Sequence, residues 1–145
     1  DQYLGKFQAR HYRTLKGEMV NGEMKWKETG ISKMRLKSYI ARVTKVGNQH
    51  KVFGVIMHDG TPIQSVEVRI DDGPWQSATL DPSTSEKYSW KFFSYDWNGA
   101  TSGEHTVTSR ATDTSGYVQP TSEELEVKKT FLEQNNQHPR TLIIA

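Results

Sequence analysis

The sequence predicts an all-β sandwich of seven or eight short strands, preceded by an irregular basic arm. Three observations predict it. Short runs rich in β-branched and aromatic residues recur along the chain, several with apolar and polar side chains alternating. Turn residues separate them at intervals of about 8–12 residues, the spacing of a sandwich. The 145 residues suit one domain with a short extension, since such a sandwich takes about 100.

The arm comes first, over residues 1–37, and the sandwich is expected over 38–145. In the arm Tyr3, Leu4, Phe7, Tyr12 and Leu15 are apolar points in a basic background with no sustained period. Asn21-Gly22, between Glu18-Met19-Val20 and Met24-Lys25-Trp26, is a hairpin signal. An arm of this kind packs on something else, either its own sandwich or a neighbour.

From Leu36 the pattern changes. Strands are predicted over 39–46 and 51–57, with Gly47-Asn48 turning between them and Asp59-Gly60-Thr61-Pro62 turning out of the second. In 65–70 Val66, Val68 and Ile70 face one way and Ser65, Glu67 and Arg69 the other. Asp71-Asp72-Gly73-Pro74 reads as a tight turn in which Gly73 takes the positive φ. The chain returns through 75–80. Tyr88, Trp90 and Phe92 are expected on one face of the next strand. His105, Val107, Ser109 and Ala111 then alternate with Glu104, Thr106, Thr108 and Arg110. Asp113-Thr114-Ser115-Gly116 turns toward Val118 and Pro120, and 141–144 forms a last short strand. A helix is plausible only around 122–127, where Ser122 has no good capping partner at Leu125.

Composition removes several classes of function. The chain has no cysteine, so it holds no disulfide, zinc ribbon, iron–sulfur cluster or thiol nucleophile of its own. No run approaches the ~20 apolar residues that span a bilayer, so no membrane partner is expected. No secretory signal precedes Asp1, which is equally true of a processed or excised chain. The net charge of +2 hides an asymmetry. Residues 1–51 carry twelve Lys/Arg against four Asp/Glu, and the remainder carries seven against thirteen.

The chemistry-bearing residues do not assemble into a catalytic motif. The five histidines, His11, His50, His58, His105 and His138, form neither H-x-H nor H-E-x-x-H. No G-x-S-x-G occurs, and Ser115 beside Gly116 reads as a local turn cap. The adjacent acids Asp71-Asp72 and Glu123-Glu124 do not make a paired site, since neighbours in a strand point to opposite faces. The Asp113 turn lacks the oxygen count of a calcium loop. No metal site and no catalytic residue is therefore assigned.

Two features have two readings each. The arm's basic residues, among them Arg10, Arg13, Lys16, Lys25 and Lys27, interleave with Tyr12 and Trp26. They would suit a phosphate backbone, or an anionic pocket or neighbouring domain; the acidic second half favours the latter, and no nucleic-acid partner is expected. Trp75, Trp90 and Trp97 read most simply as core or interface anchors, with stacking on sugars as the alternative.

From about Lys51 onward the sequence resembles the C-terminal dimerisation domain of the sulfite-oxidase family of molybdenum-cofactor enzymes. Val66-Glu67-Val68-Arg69-Ile70-Asp71-Asp72-Gly73-Pro74-Trp75-Gln76-Ser77-Ala78-Thr79-Leu80 is similar to that family's strand, glycine turn, tryptophan and return. Tyr88-Ser89-Trp90-Lys91-Phe92 resembles its aromatic strand. Arg110-Ala111-Thr112-Asp113 followed by Gly116-Tyr117-Val118-Gln119-Pro120 is the most specific stretch. Gln8-Ala9-Arg10-His11-Tyr12-Arg13 and Met34-Arg35-Leu36-Lys37-Ser38 look like the end of the preceding cofactor-binding domain.

The resemblance implies an immunoglobulin-like fold, structural roles for Gly73, Trp75, Trp90, Arg110, Asp113, Tyr117, Gln119 and Pro120, and a homodimer formed through the sandwich. It implies a partner in an upstream cofactor-binding domain of the same protein. It also implies a molybdenum–molybdopterin cofactor in the parent enzyme, held by a cysteine thiolate that this chain does not contain, so none is expected on this chain alone. A periplasmic location rests on the resemblance only.

Where the family carries Trp-Asn-x-Arg-Gly before the last strand, this sequence has Val127-Lys128-Lys129-Thr130-Phe131. Asn135 or Asn136 and His138 still resemble the Asn and His that follow. Lys129 supplies charge there without a planar bidentate fork. The substrate is thus open between sulfite and a related small molecule. Arg10, Arg13 and Lys129 are the candidate anion contacts. A free-standing glycan- or protein-binding sandwich is the alternative function.

Overall fold

The computed structural model describes residues 5–7, 11–31, 33–83, 86–126 and 134–145. The chain divides into two compact units: Asp1–Lys33 with Thr121–Gln134, and Met34–Pro120 with Asn135–Ala145.

In the first unit β1 (Arg13–Val20) and β2 (Glu23–Gly30) form an antiparallel hairpin. Asn21 at φ 54° and Gly22 at φ 83° make the left-handed pair that a two-residue hairpin loop needs. The pairing extends to Arg13↔Gly30, so the arm is more regular than its lack of period suggests. Gly17 stands opposite Trp26, and a Cβ there would lie 2.7 Å from Met24 Sδ and 2.9 Å from the indole. The short helix α1 (Ser122–Glu126) starts where the sequence places it. Thr121 is the cap: its Oγ1 accepts the Glu124 N–H at 3.2 Å, and Glu124 Oε2 accepts the Thr121 N–H at 2.8 Å.

The second unit is a sandwich of two four-stranded antiparallel sheets. One runs β3 (Lys37–Val46), β4 (Gln49–Met57), β8 (Lys91–Trp97), β7 (Thr79–Leu80). The other runs β10 (Arg140–Ile144), β9 (Gly103–Asp113), β5 (Ile63–Ile70), β6 (Gln76–Ser77). The inner faces bury Ile40, Val52, Ile56, Val66, Val68, Phe93, Trp97, Val107, Ala111 and Ile144. Gly54 pairs with Phe93, and the Phe93 ring fills the space a side chain at Gly54 would take.

A β-bulge in β3 sets which way the strand's last residues face. Ile40 pairs with Gly54, Arg42 with Phe53, and Ala41 is the extra residue. The insertion sends Arg42 outward over Phe53, 4.7 Å from the ring, and returns Val43 to the inner face opposite Val52. Arg140 Nη1 donates to the carbonyls of Ile40 (2.9 Å) and Ala41, satisfying acceptors that the bulge leaves out of the ladder.

Two expectations are corrected. Tyr88 and Trp90 precede the strand instead of lying on it, and are 72% and 55% exposed. The loop is held out of the ladder because Glu86 O accepts Ser89 N–H, Ser89 O–H and Lys91 Nζ, while His58 Nε2 lies 3.1 Å from Ser89 O. Tyr88 lies against Gly60. The inner face of β8 is therefore Phe93, Tyr95 and Trp97, with Phe92 outward. In the β5–β6 turn the positive φ belongs to Asp71 (51°), not Gly73. The reason is Asp71's side chain, which accepts the Thr106 N–H at 2.7 Å and holds the backbone in that conformation.

Candidate functional site

The sandwich has a polar centre at Gln119, which is fully buried. Residues 117–119 run back along β9: Asp113 N–H donates to Tyr117 O at 3.1 Å and Gln119 N–H to Ala111 O at 2.9 Å. That pairing aims the Gln119 side chain between the sheets. Its Oε1 accepts from Ser38 N (3.0 Å), Ser38 Oγ (2.6 Å) and Ala111 N (3.3 Å). Its Nε2 donates to Ser38 O (3.3 Å) and Asn136 O (3.0 Å). Ser38 spends its hydroxyl proton on Gln119, so Ser109 is the donor in the 2.8 Å contact between the two serines. Beside them Asn135 Nδ2 donates to Leu36 O (3.2 Å) and Tyr117 OH (3.1 Å).

The Asp113 turn supports this centre. Asp113 Oδ1 accepts from Ser115 N (2.9 Å), Ser115 Oγ (2.6 Å) and Tyr117 N (3.1 Å). Ser115 is thus the local cap its position suggests. Asp113, Tyr117 and Gln119 are brought together, with Pro120 O accepting Gln137 N–H at 2.8 Å. Sequence separation hid Ser38, which is 81 residues from Gln119.

A second group lies on the outer face of the β10-β9-β5-β6 sheet. Arg110 pairs with Glu67 at 2.7 Å, and its guanidinium lies 4.3 Å from the Trp75 ring centroid. Arg69 lies 4.9 Å from the same ring. Arg110 and Trp75 are brought together, whereas Gly73 stands at the turn tip, where its N–H donates to Ile70 O at 3.0 Å. Trp90 joins neither group.

Electrostatics concentrate at Asp71 and His105. His105 Nδ1 lies 2.9 Å from Asp71 Oδ2, and Nε2 lies 2.9 Å from Thr101 O. Two acceptors favour the doubly protonated ring, and Asp71 first, then Thr101, raise its pKa. The Thr106 N–H, then His105, lower the pKa of Asp71. The imidazole packs edge-on against Trp97 at 5.1 Å. Nothing in the sequence pattern marked this pair.

Of the candidate anion contacts, Arg13 lies in β1 with its Nε 3.0 Å from Glu28 Oε1. Arg10 and Lys129 lie outside the described residues. The residues present do not fit a molybdenum centre: the chain offers no thiolate, and the described residues contain no group of three or more His, Asp or Glu placed to hold a metal ion. Among the described residues no helix is long and apolar enough to cross a membrane.

Fold and interior define an all-β sandwich organised around a buried polar tie. Among solved structures the chain is similar to the sulfane dehydrogenase SoxCD from Paracoccus pantotrophus, with 24% identity and a TM-score of 0.68. The likeness covers 95% of this chain and 36% of that one, so the chain spans about a third of its neighbour's length. At this identity the likeness is one of fold. No family model and no curated protein matches the sequence.

Proposed function

We propose that this chain is the dimerisation sandwich, with its junction segments, of a sulfite-oxidase-type molybdenum-dependent oxidoreductase. One observation carries the proposal. The stretch that most specifically resembles that family, Arg110–Asp113 with Gly116–Pro120, supplies the side chains that organise the sandwich interior, Asp113, Tyr117 and Gln119. The fold likeness to a dehydrogenase chain nearly three times as long supports it. In this reading the chain's contribution is assembly through a second copy, and the oxygen-atom transfer to sulfite or a related small substrate belongs to an upstream domain that holds the molybdopterin.

The test is to express the complete reading frame containing this stretch, then measure metal content and mass. A molybdenum-bearing dimer is expected. A metal-free product, or a molybdenum-bearing monomer, overturns the proposal.

A second reading is favoured by the exposure of Tyr88 and Trp90. On a free-standing module these rings would stack on a glycan. Tryptophan fluorescence quenched saturably by a glycan, and insensitive to it in Trp90→Ala, supports that reading; an unchanged signal across the series removes it.

A further inference from the structure

The sandwich is open along one side, where the edge strands β3 and β10 face each other without a shared ladder. A groove of about 420 Å³ lies there, near the small end of ligand-sized pockets at about 300–1,000 Å³. Its floor is apolar: Val43 from one sheet, Leu142 and Ile144 from the other. Its rim is basic: Arg42, Lys45 and Arg140, with His50 opposite Lys45 in the ladder.

The rim is built, not incidental. The Ala41 bulge turns Arg42 off the inner face. Arg140 is anchored by Nη1 on the Ile40 and Ala41 carbonyls, which leaves its Nε–H and two Nη2–H donors uncommitted among the described residues. His50 is steadied against Trp97, ring centroids 6.0 Å apart. Among the described residues no Asp or Glu side chain lines the groove, and Ala145 closes one end of it. Three cations with no acidic side chain among them, beside an apolar floor, are complementary to a molecule that is charged at one end only.

We propose that this groove binds a small amphiphilic anion, an alkyl or aryl carboxylate or sulfonate. The head group takes the Arg140, Lys45 and Arg42 donors, and the tail lies on Val43, Leu142 and Ile144. The proposal goes beyond the assembly role and does not depend on it.

The test is amide-shift titration of the 145-residue chain with octanesulfonate and octanoate, with octanol and inorganic sulfate as separate arms. Saturable shifts confined to residues 42–45, 50 and 140–144 are expected with either anion, and weaker binding by about tenfold in Lys45→Gln or Arg42→Gln. Both positions are exposed, and the unperturbed spectrum of the rest of each variant reports retained folding. Octanol binding as tightly as octanesulfonate overturns the role of the rim. Sulfate binding as tightly overturns the role of the floor. Absence of saturable shifts with both amphiphiles overturns the proposal entirely.

Discussion

The Gln119 side chain and the Ser38 backbone grip each other from both sides: Oε1 takes the Ser38 N–H at 3.0 Å, and Nε2 gives to the Ser38 carbonyl at 3.3 Å. An amide side chain here does for the start of β3 what a neighbouring strand does elsewhere, since it offers an acceptor and a donor together.

That grip makes Gln119→Leu a severe change despite its similar volume. It strands the Ser38 amide and the Asn136 carbonyl and leaves the Ser38 hydroxyl with Ser109 alone. Each unmade bond costs about 1–3 kcal/mol. A loss of at least ~3 kcal/mol is expected from urea unfolding, and Gln119→Glu should be no milder at neutral pH, because an ionised carboxylate there is buried without a cation and faces the Ser38 and Asn136 carbonyls.

Gly54→Ala tests the fit of the inner face. The added methyl would come within 2.0 Å of the Phe93 ring and 2.5 Å of the Tyr39 carbonyl. Overpacking of this kind costs about 1–3 kcal/mol. Because one neighbour is backbone, Phe93→Leu should recover only part of the loss, and a double-mutant cycle in thermal unfolding measures that part.

The Asp71–His105 pair predicts a stability plateau. His105 has a raised pKa, so its contribution is complete below the ordinary imidazole value of 6.5 and is lost as pH rises through the raised one. Asp71 has a lowered pKa, so its contribution is complete above 3.8 and is lost as pH falls through the lowered one. Both are complete between those two values. Asp71→Asn keeps a residue that tolerates the positive φ, and should return the His105 titration, followed by NMR, toward its ordinary midpoint. An unchanged midpoint would contradict the assignment.

Arg110→Lys separates charge from shape. Lysine keeps the charge facing Glu67 but loses the planar fork and the stacking on Trp75. A loss of about 0.5–1 kcal/mol is expected. Trp75→Leu should make the same replacement nearly neutral, as read in a denaturation cycle.

Much of the fold was legible because strands and turns are local. Asn21-Gly22 announced its hairpin, and Val66, Val68 and Ile70 announced their face. The errors have physical causes. Tyr88, Trp90 and Phe92 keep a period of two, but so do Phe93, Tyr95 and Trp97, and only tertiary contacts through His58 and Gly60 decide between them. The cap is Thr121, one residue before the Ser122 on which the sequence signal rests. The bulge at Ala41 is a matter of register, which one strand's sequence does not carry. The candidate site was half legible: Asp113, Tyr117 and Gln119 stand in one motif, while Ser38 and Asn135 reach them from far along the chain.

The peptide carbonyl of Pro120 meets the amide of Gln137, and the Gln137 side chain returns to the Gln119 carbonyl, both at 2.8 Å. The chain is therefore fastened to itself where it leaves the sandwich after Pro120 and where it runs on through Gln137. Loop-closure entropy grows only slowly with length, so the bonds at Gln119, Pro120 and Gln137 keep the sandwich closed here with little dependence on how much chain lies between them.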